Sequence, residues 1–198
     1  VNALIYDIEI KKAILGKNEE PIDGIDYCAG WHDHANMGIS CICAYDYAAD
    51  RYRVFMDDNY AEFAALVAAR DVIVSFNGIA FDNRVCAAHG IAVPDDKSYD
   101  ILVELWRAAG LGPQFAYPTH LGFGLDAACE ANFGLRKTGH GARAPVQYQR
   151  REYGALVDYC LNDVALTKRL LDEAIRNRGQ LRDPRNRENT LTLQLPSV

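Results

Sequence analysis

The sequence predicts an α/β fold, a mixed β-sheet flanked by α-helices. Three observations lead there. Four short apolar runs with strand character, at 3–10, 38–45, 51–56 and 71–76, occupy the first part of the chain. A helical pattern over 59–70 separates the last two, so the fourth run joins after a helical crossover and becomes a natural parallel partner for the first. The remainder carries helical spacing, longest from Glu152 to Arg176.

The first run, Ala-Leu-Ile-Tyr-Asp-Ile-Glu-Ile at 3–10, places Asp7 and Glu9 two apart and therefore on one side of the strand. Two acids on an apolar strand are costly to bury unless cations or solvent meet them. From Lys11 to Met37 the chain reads as a long irregular insertion bearing Gly16, Pro21, Gly24 and Gly30, the kind of connection that covers a site or touches a substrate. It contains Trp31-His32-Asp33-His34. No cysteine or carboxylate spacing completes a zinc site there, and Trp31 and Tyr27 offer rings on which bases stack.

Strands at 38–45 and 51–56 are joined by the polar turn 46–50. Asn59 is placed to cap the next helix, with Phe63, Leu66 and Val67 on its inner face. After the buried strand 71–76, Asn77-Gly78 turns the chain into a helix over 80–89 that carries Asp82 near its start. Ser98-Tyr99-Asp100 opens a helix to about Ala108, and Asp100 reads as an N-cap or local structural acid, not as a ligand. A Gly-, Pro- and aromatic-rich loop spans 110–124, and a short helix over Leu125–Phe133 ends at Gly134. The glycine-bearing segment 136–143 carries Arg136, Lys137 and Arg143, suited to phosphate contacts.

In the long helix, Tyr159 and Asp163 are four residues apart and share a face. Leu156, Val157, Cys160, Leu161, Val164 and Leu171 form its apolar side. The alternation of Thr190–Leu195 suggests an added edge strand or a docking segment. The chain is read as one domain over 1–180, with the insertion 11–37 and a tail over 181–198.

Six cysteines without a CxxC pair, three of them (Cys86, Cys129, Cys160) at apolar helical positions, point to reduced core thiols rather than a disulfide framework. With no charged-then-apolar leader and no run long enough to span a bilayer, the expectation is a soluble, cytoplasmic protein without a membrane partner. The net charge of −6 argues against a passive nucleic-acid coat. The charge is uneven, however. Residues 1–135 carry 9 Lys and Arg against 20 Asp and Glu, whereas 136–187 carry 12 against 6. An acidic body with a basic C-terminal quarter suits an enzyme that holds metals with one part and steers a polyanion with another.

Asp7-Ile8-Glu9, Asn77-Gly78-Ile79-Ala80-Phe81-Asp82 and Tyr159-x-x-x-Asp163, in that order and each on the expected element, resemble the three motifs of the DnaQ-like 3′–5′ exonucleases of the RNase H-like superfamily. The form is the tyrosine (DEDDy) one, since Asp158 stands where the histidine subtype has His. The second motif is similar to that of the proofreading domains of family B DNA polymerases, and so is Leu125-Asp126-Ala127 followed by Phe133-Gly134. The resemblance covers roughly 3–175. Ile10 departs from it, standing where the family often has Thr or Ser.

The resemblance implies an RNase H-like fold and two divalent ions, Mg²⁺ or Mn²⁺, held by Asp7, Glu9, Asp82 and Asp163. Asp7, Glu9 and Asp163 would hold the first. Asp7 would bridge to the second, with Asp82 acting mainly through water. Tyr159 would orient the attacking water, since a phenol that titrates near ~10 is a poor base at neutral pH. Asn77 and Phe81 would contact the 3′-terminal nucleotides. The implied substrate is a single-stranded or frayed 3′ end, DNA favoured over RNA, released as 5′-mononucleotides. A separate polymerase or other replication or repair protein is a possible partner on this reading. An RNase H-like endonuclease or resolvase, and a non-catalytic module that holds nucleic-acid ends, are the competing readings.

Overall fold

The computed structural model describes residues 2–135 and 141–196. The chain begins with β1 (Ala3–Ile10), as the sequence predicts. Within the insertion, β2 (Ala13–Ile14) pairs in parallel with β3 (Tyr27–Cys28), and a single helical turn α1 (His34–Met37) leads out. Next come β4 (Ile39–Asp46), β5 (Arg51–Phe55), α2 (Tyr60–Ala68), β6 (Val72–Ser75) and α3 (Asp82–Ala88). They are followed by β7 (Ser98–Asp100), α4 (Ile101–Ala108), α5 (Leu125–Phe133), α6 (Ala144–Gln149), α7 (Tyr153–Arg176), β8 (Gln180–Arg182) and β9 (Thr190–Thr192).

The main sheet has the order β5-β4-β1-β6-β7. β4 runs antiparallel to both β5 and β1, while β6 is parallel to β1 and β7 parallel to β6. This is an RNase H-like mixed sheet flanked by helices, with β1 at its centre. The alternation of β1 sorts its two faces. Leu4, Tyr6, Ile8 and Ile10 enter the core shared with Phe63 and Val67 of α2 and with Val85 and Cys86 of α3. Ala3 and Ile5 enter the opposite core, built with Leu105, Cys129 and the buried face of α7. Asp7 and Glu9 continue the odd-numbered register, so the pleat aims them towards α7. A register shift in the β1–β4 ladder falls immediately after Glu9. Bulges of this kind re-aim side chains at the rims of sheets.

α7 is the long element laid across that face. Leu156, Cys160, Val164, Leu170 and Leu171 are buried along it. Val157 and Leu161, expected on the apolar side, are only partly buried, because the buried stripe turns towards Leu166, Thr167 and Leu170. Among the described residues no helix is long and apolar enough to cross a membrane.

Several local features differ from expectation. Ser98–Asp100, read as the start of a helix, is the edge strand β7, and the helix begins one residue later. Asn59 precedes α2 but does not cap it. Its side-chain oxygen instead accepts from the Met56 N–H at 2.7 Å. Thr190–Thr192 pairs with β8 in a separate hairpin rather than with the main sheet. Leu181, Leu191 and Leu193 of that segment are buried in the α7-side core. The six cysteines are free thiols, all buried except the partly buried Cys28.

Candidate active site

Three parts of the fold deliver acids to one end of the sheet. β1 brings Asp7 and Glu9. The turn after β6 leads into α3, whose first residue is Asp82. α7 brings Asp163 from across the sheet face. Glu9, Asp82 and Asp163 are buried, and Asp7 is half-buried. An Asp82 carboxylate oxygen accepts the Ile8 N–H at 3.1 Å, so the acid of the second motif is tied to the backbone between the two acids of the first.

The electrostatics show how close the group is. Burial, followed by the charges of Asp7, Cys41, Asp163 and Asp82, holds the Glu9 carboxyl well above the usual range. Burial also pushes Asp82 up to about 7. The hydrogen bond from Ile8 opposes that shift, and the charges of Asp100 and Asp163 add to it. Several carboxylates sharing a low-dielectric site form a donor set for a hard cation.

Tyr159 lies one turn before Asp163 and is partly buried against the α7-side core. A Cβ placed on Gly141 would sit 3.4 Å from its hydroxyl, so the phenol faces the 3₁₀ turn Gly141–Arg143.

A cleft of about 800 Å³ opens over the acids, lined by Asp7, Asp163, Asn77 and Trp31. Its far wall is aromatic and apolar, with Phe76, Trp106, Phe115 and Leu125. A smaller recess of about 170 Å³ lies on the other side of Trp31 and is lined by Glu9, Phe81 and Gly141. Trp31 thus stands between two spaces that both reach the carboxylates. Its ring is 66% exposed and meets Phe81 edge-on at 5.9 Å. The insertion is held in place by Gln149 of α6, whose amide accepts from the Asp26 N–H at 2.7 Å and donates to the Lys11 and Asp26 carbonyls at 2.9 and 3.0 Å.

Asn77 is exposed at the cleft in a left-handed conformation, φ +70°. The next residue must be glycine, since a Cβ on Gly78 would collide with the Ser75 side chain. Asp100 fixes this turn. It accepts from Asn77 N–H at 2.8 Å, Ile79 N–H at 3.1 Å and Leu102 N–H at 3.0 Å, so it caps α4 and holds the second motif at once. Asp100→Ala strands three backbone donors and is expected to cost about 2–4 kcal/mol in urea denaturation at pH 7.

Of the residues expected to meet substrate, Asn77, Phe81 and Trp31 line the cleft or its recess. Arg143 is exposed and borders neither space. Arg136 and Lys137 lie outside the described residues. The aromatic wall of Phe76, Trp106 and Phe115 had no motif to announce it. The one signal was the concentration of aromatics in 110–124.

A central strand bearing two acids, a third acid after the neighbouring parallel strand and a fourth on a crossing helix define an RNase H-like α/β protein with a buried carboxylate cluster. Among solved structures, the fold is similar to that in the family B DNA polymerase from the hyperthermophilic archaeon Pyrobaculum calidifontis, with a TM-score of 0.57 and 17% identity over 87% of this chain. The match covers 24% of that polymerase chain. No protein-family model and no curated protein matches the sequence.

Proposed function

We propose that the protein is a 3′–5′ exonuclease of the DEDDy type. It hydrolyses the terminal phosphodiester of single-stranded or frayed DNA and releases 5′-mononucleotides. The observation that carries this reading is the convergence of four acids at one end of the sheet: Asp7 and Asp163 line an open cleft with aromatic walls, Glu9 lines the adjoining recess, and Asp82 is buried behind them on the Ile8 N–H.

In this reading Asp7, Glu9 and Asp163 hold one divalent ion, and Asp7 with Asp82 holds a second. The ions supply charge neutralisation at the phosphate, a more acidic attacking water and stabilisation of the leaving 3′-oxygen. The protein's own groups do the positioning. Trp31 and Phe115 offer faces to the unstacked terminal bases, at about 1–3 kcal/mol per stacked base. Asn77 reaches the terminal nucleotide from its exposed turn. Tyr159 accepts or donates a hydrogen bond to the attacking water and aims it along the line of displacement.

Two expectations follow from these roles. Tyr159→Phe keeps the packing of the ring and the metal affinity but lowers the single-turnover rate about 10- to 100-fold, because only the orienting hydroxyl is lost. Equal loss of Mn²⁺ affinity by calorimetry would give Tyr159 a different role. Trp31→Ala raises KM about tenfold with a smaller change in kcat, since the ring binds substrate in ground and transition states alike.

The test of the function is a time course on 5′-labelled single-stranded DNA with Mg²⁺ or Mn²⁺. Beside it run an RNA of the same sequence, a 3′-phosphate-blocked DNA and a circular DNA, with Asp163→Ala as control. A ladder shortening from the 3′ end in the unmutated protein alone supports the proposal. Cutting of the circle would make it an endonuclease, and binding of ends without turnover would make it a holding module.

A further inference from the structure

Cys160 belongs to two sets of donor atoms at once. The Sγ atoms of Cys41, Cys43 and Cys160 lie within 4.8 Å of one another, and so do the donor atoms of Cys160, Asp7 and Glu9. The sheet explains the first set. Cys41 and Cys43 are two apart on β4 and point to the same face, directly across the ladder from Glu9 and Asp7. α7 lowers Cys160 onto them, and its Sγ is 3.5 Å from both the backbone oxygen and Oδ2 of Asp7. All three thiols are fully buried.

A single buried cysteine is a small apolar filler. Three sulfurs within 4.8 Å of one another, one of them also 3.5 Å from Asp7 Oδ2, make a soft donor set of a different kind from the hard oxygens above it, and Asp7 would turn further towards Cys41 and Cys43 to join all three. Tetrahedral zinc with sulfur bonds of about 2.3 Å spaces its sulfurs at about 3.8 Å, so these thiols would need to close by about 1 Å at most. Magnesium and manganese take oxygen donors and have little affinity for such a set.

We propose that Cys41, Cys43 and Cys160, with the Asp7 carboxylate as fourth ligand, form a thiophilic metal site for Zn²⁺ beneath the carboxylate cluster. Asp7, half-buried at the floor of the cleft, gives the ion its way in. Binding releases the three thiol protons to solvent. One carboxylate cannot complete the zinc shell and also bridge two catalytic ions. Zinc therefore inhibits Mg²⁺-dependent cleavage. That consequence rests on the exonuclease reading, whereas the site itself does not.

The probe is Cd²⁺, whose bonds to thiolates give an ultraviolet charge-transfer band. Titrated into metal-free protein, the band is expected to saturate at about one equivalent, to be displaced by Zn²⁺ and to survive millimolar Mg²⁺. Cys41→Ser and Cys43→Ser are each expected to lose most of it, and Cys28→Ser to keep it. Cys43→Ala, with its fold checked by circular dichroism, serves if a serine variant does not fold. Absence of the band in the unmutated protein, or a band unchanged in both the Cys41 and Cys43 variants, would overturn the site. In the cleavage assay, stoichiometric Zn²⁺ should slow the unmutated protein by about tenfold or more and Cys43→Ser by less than about twofold. Equal inhibition of both would overturn the shared-ligand consequence. A cadmium band in a protein without nuclease activity would leave the metal site standing and remove the exonuclease reading.

Discussion

Asp163→Asn is expected to lower the rate of 3′-end cleavage by about 10³-fold or more while leaving the protein folded, as read by single-turnover kinetics and thermal denaturation side by side. The substitution keeps the shape of the side chain on a helix whose neighbours Cys160, Val164 and Thr167 are buried, so packing changes little. What it removes is a charge. That charge raises Glu9 and Asp82 by repulsion, so in metal-free protein its loss relieves the cluster and stability should stay level or rise. Loss of activity with gain of apo stability distinguishes a functional acid from a structural one, because an acid that holds the fold together would lose both. Asp158, exposed five residues earlier on the same helix, is the control. Asp158→Asn should retain both activity and stability. Asp163→Asn protein that still cuts within about tenfold of the unmutated rate would place the chemistry elsewhere.

The site was legible in the sequence where single residues carry backbone geometry with them. The strand Ala3–Ile10 announces itself by apolar content, and its period of two already places Asp7 and Glu9 on one side. The helix Leu125–Phe133 ends where Gly134 adopts a left-handed conformation, as its position after the last apolar residue implies. Tyr159 and Asp163 share a face for no reason beyond helical spacing.

Features set by tertiary contact were hidden. β7 is three residues long, and Asp100, its last, also caps the following helix. One residue serves two elements, and the capping signal masks the strand. β2 and β3 have two residues each, too few for any alternation to register. α6, just after the basic segment 136–143, has no assignment from the sequence: it is six residues long and carries Pro145, which reads as loop chemistry although proline is tolerated in the first turn. Trp31 could be suspected of touching substrate, but its position between two spaces depends on Gln149, more than a hundred residues away. The thiol cluster was equally hidden. Cys41 and Cys43 alternate like any strand pair, and nothing local says that Cys160 will descend on them.

The pH dependence of stability should separate the metal-free and metal-loaded protein. Asp82 titrates at about 7 in the fold, and Glu9 is also well above its usual range. Unfolded, both titrate near about 4. For Asp82 the native state holds more protons than the unfolded chain between those limits, so metal-free stability falls as pH rises from about 4 to about 7, and Glu9, raised by burial and the same neighbours, acts in the same direction. In EDTA the protein is therefore expected to be more stable at pH 5.5 than at pH 8, by about 2 kcal/mol from Asp82 alone, with Glu9 adding in the same direction. On the two-ion proposal Mg²⁺ or Mn²⁺ would bind the ionised carboxylates, so it should raise Tm strongly at pH 8 and weakly at pH 5.5. Asp82→Asn isolates one contributor. The amide oxygen can still accept the Ile8 N–H, as the carboxylate does at 3.1 Å, while the charge is gone. The variant should be more stable than the unmutated protein in EDTA at pH 8, should show a flatter pH profile, and should gain less from metal. A metal-free Tm that rises between pH 5.5 and 8, or a metal-induced gain independent of pH, would mean that these acids are not held as a repelling group awaiting cations, and the two-ion site would fall with that result.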